Sequence, residues 1–356
     1  MEANLQEAWT RVDNSNRGST MNLKPTASNL SGLLDEHPEK PPQGINVDSK
    51  LRAGLNLYSR ERTYRLYVPE GYDGSKPSAL LVVLHGCHQT YEDIQQISGF
   101  DALADREQFL VLYPYVTSYL GYRARQCWGW WVKAHRTRGR GEVEDISRIV
   151  EQVQQEYSVD PSRRYICGLS SGGAMAVNCL VAYPDKFAGG ASVAGLAYGE
   201  TPSAVKGSAF SIPRYHSLPR LCAVMRKNLA GATPPNLLII HSDGDQVVSE
   251  KATDNLEQSW KQVAELDTDA SEWHIDGETS GTPWSLHGYT SHDQQRLVRL
   301  RTSEFPHSWL GGPEGQHSSP DAPCISELIW WHLNASATRE LGEVTPRKDT
   351  LLQEAS

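Results

Sequence analysis

A chain of 356 residues has room for one large α/β domain or two small ones. Its net charge of −9, with 22% charged residues spread along the chain, argues against a basic surface for nucleic acid. No run approaches the roughly 18 apolar residues of a membrane span, and the six cysteines show neither a CxxC pair nor metal-ligand spacing, so no metal site is expected.

Residues 1–45 are polar, carry Pro38, Pro41 and Pro42, and show no sustained period. They read as a poorly ordered extension with one short helix near Leu30–Leu34. The start, Met1 to Glu7, lacks a basic n-region and an apolar h-region. As written the chain shows no secretory signal and is expected in the cytoplasm, or in the periplasm or outside the cell where the start is processed.

From Thr63 the pattern changes, and a catalytic domain is expected over 46–335. Tyr64–Val68 alternates as a strand with period two, while Ala79–Leu84, Phe109–Pro114 and Leu237–Ile240 are continuous apolar runs. Such runs mark strands buried on both faces. Val143, Ile146, Ile149, Val150 and Val153 share one helical face, and Asp160-Pro161 stops that element. The basic run Arg136–Arg140 reads as a solvated loop. A further helix is predicted near Glu250–Val263. The polar segment from Leu266 to Asp293 reads as a surface excursion, Gln295–Arg301 as an edge strand, and Asp321–Leu333 as a last helix burying Ile325, Leu328, Ile329 and Leu333. Residues 336–356 read as a polar tail. Strands alternating with helices over short connections predict an α/β fold with a mostly parallel sheet covered on both faces.

The most informative stretch is Gly168-Leu169-Ser170-Ser171-Gly172. It follows a strand pattern, Arg164–Cys167, and opens a small-residue helix that ends at Tyr183-Pro184. A serine on a sharp strand-to-helix turn flanked by glycines is the nucleophile elbow of the α/β-hydrolase fold. The glycines keep Cβ atoms out of a closely packed turn. Cys167 and Cys179, on the apolar faces of that strand and helix, read as buried thiols. Cys87, Cys127, Cys222 and Cys324, in or near loops, are placed to pair.

A serine hydroxyl needs a base, and the base needs an orienting acid. On this fold the chain order is serine, acid, histidine. His241-Ser242-Asp243-Gly244-Asp245 follows the buried strand where the acid belongs. Asp245 is the first choice because an apolar pair follows it, and Asp243, inside the turn, is the alternative. For the base, His307 lies in a loop with rigid flanks after the last strand, and His317 is the competitor. The oxyanion hole needs two backbone amides: Ser171 N–H, after the nucleophile, and Cys87 N–H, in the His85-Gly86-Cys87 loop after an early strand.

Leu84-His85-Gly86-Cys87-His88-Gln89-Thr90, Cys127-Trp128-Gly129-Trp130-Trp131, Gly168-Leu169-Ser170-Ser171-Gly172-Gly173-Ala174-Met175, Ala194–Gly199 and His307–Gly312 together resemble the polyhydroxybutyrate (PHB) depolymerase family of esterases. The resemblance runs from about Thr63 to Leu333. It departs at Ser171, where members commonly carry Ala, and at Pro306, where many carry Gly. It implies an α/β-hydrolase fold with Ser170, Asp245 and His307 as the triad, a Cys87–Cys127 disulfide, and no cofactor. Trp128, Trp130 and Trp309 are then candidates to line the substrate subsites. The implied activity is serine ester hydrolysis, with 3-hydroxyalkanoate oligomers or similar aliphatic polyesters as substrates. Feruloyl or acetyl esters of plant polysaccharides are the alternative. A serine peptidase would need a propeller or large cap domain, and a non-catalytic binding protein would need a broken triad.

Overall fold

The computed structural model describes residues 27–35, 40–56, 58–116, 126–206, 212–266, 271–291 and 294–338. Residues 1–26 of the expected extension and 339–356 of the expected tail lie outside these. In chain order the elements are helix α1 (Ala27–Leu34) and strands β1 (Ile45–Leu51), β2 (Arg62–Val68) and β3 (Ser78–Leu84). Helices α2 (Tyr91–Ser98) and α3 (Phe100–Glu107), strand β4 (Leu110–Pro114), helix α4 (Gly141–Glu156) and strand β5 (Val159–Leu169) follow. Next come α5 (Ser171–Ala182), β6 (Gly189–Val193), α6 (Leu218–Leu229), β7 (Asn236–Ser242) and α7 (Glu250–Val263). The chain continues through β8 (Ser271–Thr279), β9 (Thr282–Ser291), β10 (Gln294–Thr302), β11 (Trp309–Leu310), β12 (Ser318–Ser319) and α8 (Ile325–Thr338).

Ten strands make one sheet in the order β1-β2-β4-β3-β5-β6-β7-β10-β9-β8. From β4 to β10 every neighbour pairs parallel; the β1–β2 and β8–β9 ends are antiparallel. The apolar run of β3 shows why the centre is continuous. Leu80, Val82 and Leu84 face a core built with α4, α5, α6 and α7, while Ala79, Leu81 and Val83 face one built with α1, α2, α3 and α8. Both faces of Ala79–Leu84 are buried, which is why that run is apolar throughout.

The structure differs from the sequence reading at several places. The helix expected near Leu30–Leu34 is present but docked: Leu30 and Leu34 are buried, and Cys324 N–H donates to the Leu34 carbonyl at 2.8 Å. The extension is therefore not loose over Ala27–Leu34, and the last helix runs on to Thr338. The surface excursion is a hairpin, β8–β9, that widens the sheet. Its turn has Ser280 and Gly281 at φ 50° and 81°, both left-handed, as a two-residue primed turn requires. Across the pair, a Cβ on Gly277 would lie 2.1 Å from the Trp284 ring and one on Gly288 2.2 Å from the Trp273 ring. The two indoles lie over opposed glycines, which is where these strands hide their apolar surface. Because β9 covers it, β10 is interior and not the edge. The alternation misled because Arg299 is buried against α7, where Asp254 and Glu257 take its charge at 2.8 and 2.7 Å.

Candidate active site

The four segments singled out by sequence all follow carboxyl ends of parallel strands: Cys87 after β3, Ser170 after β5, Asp245 after β7 and His307 after β10. Loops there are held by the rigid sheet and share one edge, the usual ligand edge of such folds.

Ser170 has φ 58° and ψ −116°, a strained geometry for a residue with a Cβ. Packing enforces it. A Cβ on Gly168 would meet the Leu84 carbonyl oxygen at 2.7 Å, and one on Gly172 would meet it at 2.2 Å. Ser170 N–H donates to Val193 O at 2.8 Å, and Ala174 N–H donates to Ser170 O at 2.9 Å, which starts α5. The first amides of that helix, Ser171 N–H foremost, have no intrahelical acceptor and carry the positive end of its dipole.

His307 Nδ1–H donates to Asp245 Oδ2 at 2.6 Å, with the side chains 12% and 2% exposed. The other Asp245 oxygen accepts from Val247 and Val248 N–H at 2.8 and 2.9 Å. The carboxylate is thus fixed by the backbone of the apolar pair after it. Committing Nδ1–H to Asp245 leaves the Nε2 lone pair as the basic face of the ring. Asp243 instead meets Arg301 at 3.2 and 3.3 Å on the exposed side of the turn. The acid and histidine loops interlock, because Ser242 Oγ donates to Phe305 O at 2.9 Å and a Cβ on Gly244 would lie 2.6 Å from that carbonyl. His317 does not bond Asp245; its carbonyl accepts Trp309 N–H at 2.7 Å. Burial and the neighbouring His307 and His88 hold its imidazole below the usual range.

The loop after β3 lies against the elbow, since a Cβ on Gly86 would come within 3.6 Å of Ser170 Cβ. Cys87 and Cys127 form a disulfide with Cα atoms 4.3 Å apart. Cys222 and Cys324, which the sequence left open to pairing, are free and buried, as are Cys167 and Cys179.

Trp128 and Trp309, two of the three tryptophans expected to line substrate subsites, are packed inside the protein. Trp309 is fully buried, edge-on to Phe100, and its Nε1–H donates to Ser326 Oγ at 3.0 Å. Trp128 is also buried, and its Nε1–H donates to the His85 carbonyl at 3.0 Å. Neither offers surface to a substrate. Trp130 is 5% exposed and edge-on to the half-buried Trp131. Its carbonyl accepts from Asn178 Nδ2–H on α5 at 3.0 Å. The buried Glu142 carboxylate accepts Gly129 N–H at 2.7 Å.

Sequence reasoning passed over the His85 ring. Burial pushes its pKa down to about 4, so the imidazole is neutral. Val116 N–H donates to its Nε2 at 3.2 Å, so Nδ1 carries the proton and donates to Gly86 O at 2.8 Å. A ring locked onto the loop beside Ser170 leaves no sequence signal beyond the His-Gly pair itself. Among the described residues no cluster of His, Cys, Asp and Glu is arranged to hold a metal.

The chain matches the model of the family described as Esterase PHB depolymerase over residues 62–281. It belongs to that family. Poly(3-hydroxyalkanoate) depolymerase C of Paucimonas lemoignei is 39% identical over 132 residues, covering 37% of this chain and 31% of the relative. The match therefore spans about a third of that relative's length. Feruloyl esterase B of Neurospora crassa is 28% identical over 206 residues, covering 55% of this chain and 68% of the relative. Among solved structures, an acetyl xylan esterase from Aspergillus awamori superposes with a TM-score of 0.58 at 19% identity, over 73% of this chain and 94% of that one. A feruloyl esterase module from Clostridium thermocellum superposes with a TM-score of 0.53 at 12% identity, over 86% and 92%. The shared fold is that of the α/β-hydrolases. No described helix is long and apolar enough to cross a membrane.

Proposed function

We propose that this family member is a serine carboxylic ester hydrolase working through an acyl-enzyme on Ser170. The observation that carries the reading is the part-buried Asp245–His307 hydrogen bond on the same sheet edge as a strained elbow serine. In this mechanism Ser170 Oγ attacks the ester carbonyl carbon while His307 Nε2 takes the hydroxyl proton. Asp245 stabilises the imidazolium so formed. Cys87 and Ser171 N–H groups bind the oxyanion, and His307 returns the proton to the departing alkoxide. Water activated by the same imidazole then attacks the acyl carbon and releases the acid. No step calls for a cofactor.

The substrate class we propose is short 3-hydroxyalkanoate oligomers or similar aliphatic polyesters. The family match and the 39% identity to a poly(3-hydroxyalkanoate) depolymerase support it. Likeness over a longer share of the chain to a feruloyl esterase keeps a second reading, feruloyl or acetyl esters of polysaccharides. The Cys87–Cys127 disulfide supports action in an oxidising compartment.

Ser170→Ala should fold normally and lower turnover of p-nitrophenyl butyrate by about 10^4 or more. Near wild-type turnover in that variant would place the nucleophile elsewhere. Wild-type hydrolysis of amorphous polyhydroxybutyrate, methyl ferulate and acetylated xylan, run side by side, decides between the substrate classes.

A further inference from the structure

Gln89 sits in the turn between β3 and α2, with its side chain fully buried. Amides are seldom wholly buried unless both ends are bonded. Here Oε1 accepts Gly86 N–H at 2.7 Å, and Nε2–H donates to the Gln316 carbonyl at 3.1 Å. The first bond holds the oxyanion loop. The second reaches the loop that follows the base.

Both bonds continue into the machinery proposed above. On one side, Gly86 is held through both of its peptides: Gln89 accepts its N–H at 2.7 Å, and His85 Nδ1–H donates to its carbonyl at 2.8 Å. A trans peptide points its C=O and the next N–H in opposite directions, so the His85 bond turns Cys87 N–H away from the ring, and the Gln89 bond holds the adjoining peptide against which that one would rotate. On the other side, Gln316 precedes His317, whose carbonyl accepts Trp309 N–H at 2.7 Å, and Trp309 follows His307 by two residues. One unbroken path of covalent and hydrogen bonds joins the oxyanion donor to the base.

We propose that Gln89 is a positioning residue that keeps the oxyanion loop and the base loop in register, so that donor and base meet the same tetrahedral centre. The proposal rests on the assignment of Ser170, His307 and Cys87 N–H above. Gln96 provides an internal comparison: its Nε2–H donates to the Glu314 carbonyl of the same loop at 2.8 Å, and its amide bonds nothing in the oxyanion loop.

The test measures kcat and KM for p-nitrophenyl butyrate in Gln89→Met, Gln89→Glu and Gln96→Met. A misaimed donor weakens transition-state binding and leaves ground-state binding alone. Gln89→Met should therefore lose about 30-fold in kcat with KM within about threefold, less than the 10^2–10^3 of deleting an oxyanion donor outright. Gln89→Glu keeps the acceptor for Gly86 N–H but sets an oxygen against the Gln316 carbonyl, and should lose about tenfold. Gln96→Met should stay within about twofold of wild type. Equal losses in Gln89→Met and Gln96→Met, or wild-type kcat in Gln89→Met, would overturn the proposal. If Gln89→Met does not fold, wild-type kcat in Gln89→Glu overturns it alone. Ser170→Ala in the same assay keeps the two readings apart. Activity retained there removes the elbow assignment, whereas an inactive Ser170→Ala beside a fully active Gln89→Met removes only the positioning role.

Discussion

Asp245 gives one carboxylate oxygen to the His307 ring and the other to two backbone amides, while Asp243 faces Arg301 with 46% of its side chain exposed. An exposed ion pair of that kind is worth under about 1 kcal/mol. Asp243→Asn should therefore leave kcat within about twofold of wild type, while Asp245→Asn should lower it by about 10^4, because the amide favours the wrong imidazole tautomer and cannot stabilise the imidazolium. Steady-state kinetics on the pair checks this, and the reverse ranking would transfer the role to Asp243. The pairing of Asp245 with His307 was legible because Val247-Val248 after Asp245 offers backbone donors to a buried carboxylate. The placement of the tryptophans was not. An indole in a motif near the site has the same letters whether its ring lines a cleft or, as with Trp128 and Trp309, uses its N–H to brace a loop.

At the scale of elements, the loop after β3 and the 126–131 segment behave as one piece, joined by the Cys87–Cys127 disulfide and by the Trp128 bond to His85 O. With a sequence separation of 40, the bridge constrains the unfolded chain by roughly 4 kcal/mol on the chain-entropy model. In the mechanism proposed above, its effect is to hold the Cys87 amide. Cys127→Ser should lower the denaturation midpoint and reduce kcat more than it raises KM. Thiol titration of the unfolded chain should read four of the six cysteines before reduction and all six after it. Unchanged kcat in Cys127→Ser would mean the oxyanion loop keeps its aim without the bridge. The parallel strands were legible because burial on both faces leaves only apolar letters. The β8–β9 hairpin was not, because four of its positions pair Trp with Gly across strands, and its other face carries the polar residues that suggested a loop. The Ser280-Gly281 turn and the Trp273–Ile275 and Trp284–Leu286 alternation were the available signals.

Across the whole molecule, burial shifts ionisation on both faces of the sheet, and acid sensitivity follows from the balance. His85 and His332 are pushed down from 6.5 to about 4, while Asp101 is pushed up from 3.8 to about 6, all chiefly by burial. A histidine lowered in the fold binds its proton more readily when unfolded, so its stabilising contribution is present above 6.5 and is lost as pH falls toward about 4. Asp101 acts in the opposite sense: its contribution is present below 3.8 and is lost as pH rises through about 6. His241 and His317 are lowered by burial as well, so between these limits the imidazoles outweigh the one carboxyl, unfolding takes up protons on balance, and stability falls as pH falls. Urea midpoints should therefore fall steadily from pH 6.5 to 4.5, and His332→Gln should flatten the fall because it removes one of the imidazoles that burial lowers. A midpoint that is level or rises over that window would show that the buried imidazoles do not set the acid limit. The same balance bears on function, because between about pH 4 and 6.5 His85 stays neutral only while its ring is buried. Protonating it turns Nε2 into a donor facing the Val116 N–H, so the ring loses that anchor at the pH where the fold weakens, while Nδ1–H still faces the Gly86 carbonyl.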